Sequence, residues 1–150
     1  MKDINKNDIM DITLLSIDEA KNVPKEILQT NCWWWLRSPG VSYLSVATID
    51  YDEDRGNDGD VYEEGICVED DEGGIRPALI IKNLESSHLQ IGEKVECLHR
   101  TWFYVGENLI LSEYIIDFRS FNPTIIEGNR FLDSDIKRYL DDTLAKWLAE

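Results

Sequence analysis

Three consecutive tryptophans, Trp33-Trp34-Trp35, sit inside the segment NCWWWLRSPG at residues 31–40, and no other stretch limits the fold so tightly. A buried indole removes roughly 150–250 Å² from water and then needs an acceptor for its N–H. The Ser38-Pro39-Gly40 that follows is a turn signal. Read as a strand, the run sends Trp34 to one face and both Trp33 and Trp35 to the other. A sheet carrying it must be covered on both faces or leave a ring set as a platform for a ligand. Core and core rim are the plain expectation, and Trp33 is the ring held open for ligand contact.

With 150 residues the chain has the size of one domain and can bury a core without staples. Its formal charge of −15 repels phosphate backbones and anionic lipid, so nucleic acid and membrane surfaces are not expected partners. The start, MKDINKNDIMDITLL, contains no apolar run of signal-peptide length, and no segment reads as a membrane span. Cys32, Cys67 and Cys97 are odd in number and widely spaced, which gives neither a disulfide framework nor a C-x-x-C pair. A cytoplasmic protein with three unpaired thiols is the expectation.

Along the chain, residues 8–15 read as a strand or buried segment. Ser16-Ile17-Asp18-Glu19 has capping-box form and predicts a short helix ending before Pro24. Lys25–Leu28, after that proline, predict a further helical turn. Residues 43–49 predict a strand, 57–60 a hairpin turn, and Val61-Tyr62 the return strand. Ile66-Cys67-Val68 reads as another short strand. Residues 75–83 predict a strand whose Pro77 needs an edge or a bulge. Residues 83–90 read as a connector. The runs 95–105 and 108–118 predict strands joined by a turn at Gly106-Glu107-Asn108. Ser134 is an N-cap, and Ile136, Leu140, Leu144, Trp147 and Leu148 recur at helical spacing behind it. Strands outnumber helices and do not alternate with them, so the class is α+β, not a doubly wound parallel sheet.

Trp34 to Gly40 (WWLRSPG), together with Gly74-Ile75-Arg76-Pro77-Ala78-Leu79, resembles a bacterial domain-of-unknown-function family marked by WWLRSPG and a closing GVRPAL strand. Thr13-Leu14-Leu15-Ser16 with Glu19 resembles the segment that family places ahead of its tryptophans. The family is common in gut Firmicutes and their phages. The resemblance implies a C-type-lectin-like fold, a twisted antiparallel sheet with small helices and a loop-rich region, the one shared by formylglycine-generating enzymes and phage receptor-binding proteins. It extends to residues 91–98, 108–113 and 134–142, which are similar to parts the family places before its tryptophan half. Here they come after it. The resemblance therefore implies a circularly permuted single domain: a signature half at 1–82, a connector at 83–90 and a hairpin-plus-helix half at 91–150. Either one chain closes the fold, or two chains exchange halves as a homodimer.

Within the signature segments, Arg37, Arg76 and Pro77 are expected to be structural, as are Trp34 and Trp35. Each arginine has apolar neighbours, where a guanidinium satisfies carbonyls, stacks on an indole or pairs with a carboxylate. Between Asp50 and Glu72 stand twelve acids and one base, Arg55, which places −11 of the net −15 in one hairpin and its loops. The alternation of Asp50, Asp52 and Asp54 suits Ca²⁺. The EF-hand pattern nevertheless fails, with Arg55 at its glycine and Val61 at its closing glutamate. The lectin calcium signatures EPN, QPD and WND are also absent. A solvated charged hairpin, a surface for a cationic partner and a Ca²⁺ site stay open in that order of preference, and no cofactor is expected.

His88 falls in the connector and His99 in a strand, where a core histidine is the default. No nucleophile elbow, zinc motif or P-loop is present. The cysteines do not match the copper-site arrangement of the formylglycine generators. The expected function is non-catalytic recognition of a protein or glycan through loops 41–73, with Trp33, Tyr43, Asp52, Asp54, Asp58 and Asp60 as contacts. A structural or assembly part of phage origin, or an enzyme related to the formylglycine generators, are the alternatives.

Overall fold

The tryptophan strand, β3 (Trp34–Pro39), organises the molecule; the computed structural model describes residues 1–150. Ahead of it lie β1 (Lys2–Asp3), β2 (Ile9–Thr13), α1 (Ile17–Lys21) and α2 (Lys25–Leu28). Behind it come β4 (Ser45–Ile49), β5 (Val61–Cys67), β6 (Gly74–Ile75), β7 (Ala78–Ile81), β8 (Lys94–Cys97), β9 (Arg100–Tyr104), β10 (Leu109–Ser112), β11 (Asp117–Phe118) and α3 (Asp135–Leu148). The architecture is α+β, with two sheets and few helices. One sheet runs β1-β8-β9-β10-β7-β2 and the other β11-β6-β3-β4-β5. Each is antiparallel except for one parallel pair, β1 with β8 and β3 with β6. The twisted antiparallel sheet implied by the resemblance is met by two sheets, each mixed by its one parallel pair. No helix is long and apolar enough to cross a membrane.

Period-2 alternation assigns the rings. Trp35 joins a core with Leu79, Trp102, Ile110, Phe121, Ile136 and Leu140, and Trp33 packs partly against it. Trp34 and Leu36 point the other way, into a second core with Ala20, Leu28, Ile49, Leu109 and Leu111. α3 covers the first core; α1 and α2 cover the second. The buried indoles find acceptors in Leu28 O for Trp34 (3.1 Å), Arg119 O for Trp35 (2.9 Å) and Cys97 O for Trp102 (2.9 Å). Left unpaired in the core, each N–H would cost about 1–3 kcal/mol.

Both halves of the chain contribute to both sheets. β7 lies between β2 and β10, and β6 lies between β3 and β11. Residues 75–83, read as one strand, divide at Arg76-Pro77: β6 stays in the tryptophan sheet and β7 passes to the other. Proline cannot donate to a ladder, so the break falls at the one residue suited to it. Residues 108–118 divide in the same way into β10 and β11. The run 95–105 is a hairpin, not a strand. Leu98 and His99 turn it, both at positive φ (55° and 59°), the geometry a two-residue hairpin loop requires. His99 is consequently exposed, which corrects the expectation of a core histidine.

β5 is one strand across both segments read separately. Its register against β4 slips between Val46 and Thr48, with Gly65 at φ +85°. β3 slips beside the same stretch of β4, and it extends through Ser38 and Pro39, so the turn starts at Gly40, two residues later than the sequence signal. In the connector, Leu84 is buried and Leu84–Ser87 form a 3₁₀ turn between Asn83 and His88, both left-handed. Ser16 and Glu19 complete the capping box. Ser134 caps α3 by accepting from Lys137 N. Leu148 ends that helix partly exposed, off the buried stripe of Ile136 and Leu140.

Candidate functional site

The largest hollow, about 560 Å³, opens where β2, β7 and β10 meet the end of β3 and the start of α3. Its floor is a cross-strand row. Asp11 pairs in register with Ile80, and Ile80 with Leu109, so the three side chains share one face. Arg37, Ser38 and Pro39 form one wall, and Arg130, Phe131, Leu132 and Lys137 the opposite one. Residues 2–83 supply the first wall and part of the floor; residues 109 and 130–137 supply the rest. The cleft therefore exists only because the two halves join.

Its walls are fixed by ion pairs. Arg37 clamps both Glu19 oxygens and also donates to Leu14 O. Burial opposes the charge on Glu19, but the Arg37 guanidinium and the Ser16 amide and hydroxyl outweigh it and hold the carboxyl below its ordinary value. Lys137 is 8% exposed and donates to Asp11 Oδ1, Ile12 O and Asp141 Oδ1, each at 2.8 Å. Burial pulls its pKa down, yet the two carboxylates win and raise it. The same contacts block the outer edge of β2: Asp11 accepts from Ile12 N and Lys137 covers Ile12 O, which keeps a stray strand from adding there.

Above the cleft, a loop at 123–133 leans on the β3–β4 turn. Asn122, fully buried, donates to Gly128 O, while Asn129 donates to Ser42 O and Ser45 O. Large apolar side chains stand out from both: Val41 and Tyr43 from the turn, Ile126 (91% exposed) and Leu132 (75%) from the loop. These four side chains stand on the turn and the loop that Asn129 ties together.

The contact residues expected from the sequence do not form one face. Tyr43 is at the β3–β4 turn, 73% exposed. Asp52, Asp54, Asp58 and Asp60 lie at the opposite end of β4, which the pairing of Trp34 with Ile49 and of Pro39 with Val46 places five strand residues away. They lean on α2 through Lys25–Asp60 (2.8 Å) and Gln29 donating to Asp58 O. Burial, then Asp60 and Asp52, raise the Asp50 carboxyl. No three Asp, Glu, His or Cys side chains gather as a metal-binding group. Trp33 is half-buried, its ring edge-on to Trp35 at 5.0 Å. The three thiols are free, Cys32 half-buried, Cys67 exposed and Cys97 buried, where burial raises its pKa to about 11. His88 is exposed.

Arg76, 1% exposed, is a keystone. Its Nε donates to Ser112 O (2.8 Å) and Nη1 to Ile27 O (2.7 Å), and its guanidinium lies 5.1 Å from the Trp34 ring centre. Burial lowers its pKa to about 10, so it stays charged at neutral pH. Pro77 beside it is buried at the crossing between sheets.

Two mixed sheets, meeting at a cleft between β2, β7, β10 and the end of β3, define an α+β domain. The chain belongs to the family described as a domain of unknown function (DUF6273), whose model matches residues 2–83. No curated protein and no solved structure matches it.

Proposed function

We propose that this chain is a non-catalytic recognition module that binds a protein, or in the second place a glycan, through the cleft and its apolar rim. The single observation that carries this is the 560 Å³ hollow with exposed Leu132 in its lining, next to the β3–β4 turn and the 123–133 loop, on which Val41, Tyr43 and Ile126 stand exposed. The binding face is thus the 41–44 part of the loops 41–73, joined by residues 126–132. The acids at 52–60 belong to a separate, charged end that suits a cationic partner. A cleft of this volume lies in the range of ligand sites, about 300–1,000 Å³.

We read the architecture as C-type-lectin-like, in permuted order. Support comes from the family match, which stops at Asn83 where the connector begins, and from the two sheets that residues 1–82 leave for residues 91–150 to complete. Fold analogy does not fix function, so the ligand must be found directly. Folded protein is to be applied to glycan and peptide arrays beside a Tyr43→Ser/Leu132→Ser variant. Hits that vanish in the variant support the reading. Hits retained by the variant move the site elsewhere, and an absence of hits on both arrays refutes recognition. The exposed rim also supports an assembly role, which predicts self-association that rises with concentration and falls in the same variant.

A further inference from the structure

The cleft is positively lined in a strongly negative protein. Arg37, Arg130 and Lys137 face it against Asp11 and Glu19, while the whole chain carries −15. These cations are not equivalent. Arg37 is held by Glu19 and Leu14 O, and Lys137 donates in three directions within the protein. Arg130 is different: its side chain is 80% exposed, and its one ion pair runs from Nε to Asp133 at 3.4 Å inside its own turn. That leaves the fork of two terminal nitrogens turned to solvent, the geometry that grips a carboxylate.

On its far side the cleft adjoins a second hollow of about 320 Å³, with Glu19 and Leu109 common to both. That hollow carries Glu107, exposed, and no cation in its lining. Together the two make a trough that is cationic at Arg130, apolar over Ile80 and Leu109, and anionic at Glu107.

We infer that this trough takes an extended peptide segment of matching polarity, with an acidic side chain at Arg130, an apolar one over Ile80 and Leu109, and a basic one at Glu107. The inference rests on the cleft being the recognition site and names its ligand. The order of groups along the trough sets the motif: an acidic residue at one end, an apolar one in the middle and a basic one at the other. A neutral glycan leaves both charged ends unanswered, and a long-chain carboxylate answers only Arg130.

The test is selection of a displayed random nonamer peptide library on the immobilised full chain, followed by fluorescence anisotropy with the winning peptide. The expected winners carry acidic, apolar and basic residues in that order along the chain, in either direction. Arg130→Glu weakens the winner about tenfold, the worth of one charge-assisted hydrogen bond, and Glu107→Lys does the same from the other end. Selection repeated on Arg130→Glu then replaces the acidic position by a basic one. Both side chains are exposed, and unchanged melting of the variants confirms that they fold. Winners without a charge pattern, or affinity indifferent to both variants, overturn the inference, as does a library without binders. Glycan-array hits that depend on the rim, in the absence of peptide binders, leave recognition standing and remove only the peptide. Binding of dodecanoate that responds to Arg130→Glu and not to Glu107→Lys, again without peptide binders, assigns the trough to a small amphiphile instead.

Discussion

Replacing Arg76 by alanine gives a stability change that can be worked through from its contacts. Two backbone carbonyls, Ser112 O and Ile27 O, lose their charged donor, at about 1–3 kcal/mol each. The side chain fills space against Trp34 and Phe103, so truncation leaves a void worth about 2–5 kcal/mol. One term opposes these. Depression of the guanidinium to about 10 means that burying its charge costs about 3 kcal/mol, and alanine removes that cost. The balance is a loss of about 4 kcal/mol. Methionine at the same position refills the void and also removes the burial cost, so Arg76→Met is expected to lose only about 1 kcal/mol. Urea unfolding of the wild type and both variants, with slopes compared to establish a two-state transition, measures the difference. If Arg76→Ala lies within 1 kcal/mol of the wild type, or Arg76→Met is the less stable variant, the keystone reasoning fails.

Glu19→Gln removes the charge that pairs with Arg37 while leaving an amide oxygen to accept from Ser16 N, and should cost about 1 kcal/mol by thermal melting at pH 7. Because Glu19 titrates lower in the folded chain than its ordinary 4.5, its contribution is present above pH 4.5 and is lost as pH falls through the folded value; the acid limb of the variant's stability curve should be shallower there. Gly65→Ala meets both a φ of +85° and a Cβ position 2.5 Å from Val46 O, and should lose about 2 kcal/mol or more by the same urea assay. A double-mutant cycle of Trp35→Leu and Phe121→Leu, rings 5.7 Å apart and from opposite halves of the chain, should return a coupling of about 0.5–1.5 kcal/mol.

What the sequence made legible was local. The capping box at Ser16 and the N-cap at Ser134 are spelled out within four residues, and both helices begin there. The opposite facing of Trp34 and Trp35 follows from strand periodicity alone. The hairpin at Leu98-His99 was hidden because neither residue is a turn former; tertiary pairing imposes positive φ on both. The passage of residues 75–83 between sheets was half visible, since Pro77 marks the break but nothing local says where the chain goes next. The cleft was not legible at all. Asp11, Arg37, Leu109, Arg130 and Lys137 lie up to 126 residues apart, and each alone reads as an ordinary surface or strand residue. Tyr43 was visible as a contact candidate, but the acids grouped with it occupy the other end of β4.

Everything proposed for the cleft depends on residues 91–150 completing, within one cooperative body, the sheets that residues 1–82 begin. Native-state hydrogen exchange of the full chain tests this directly, read at the amides of Leu79 and Ile80 in β7 and of Ile110 and Leu111 in β10. The account predicts that all four exchange through one global opening with the same free energy and the same denaturant dependence. Amides of β10 and α3 opening several kcal/mol below those of β3 and β7 would show two independent halves, and a cleft shared between them would lose its foundation.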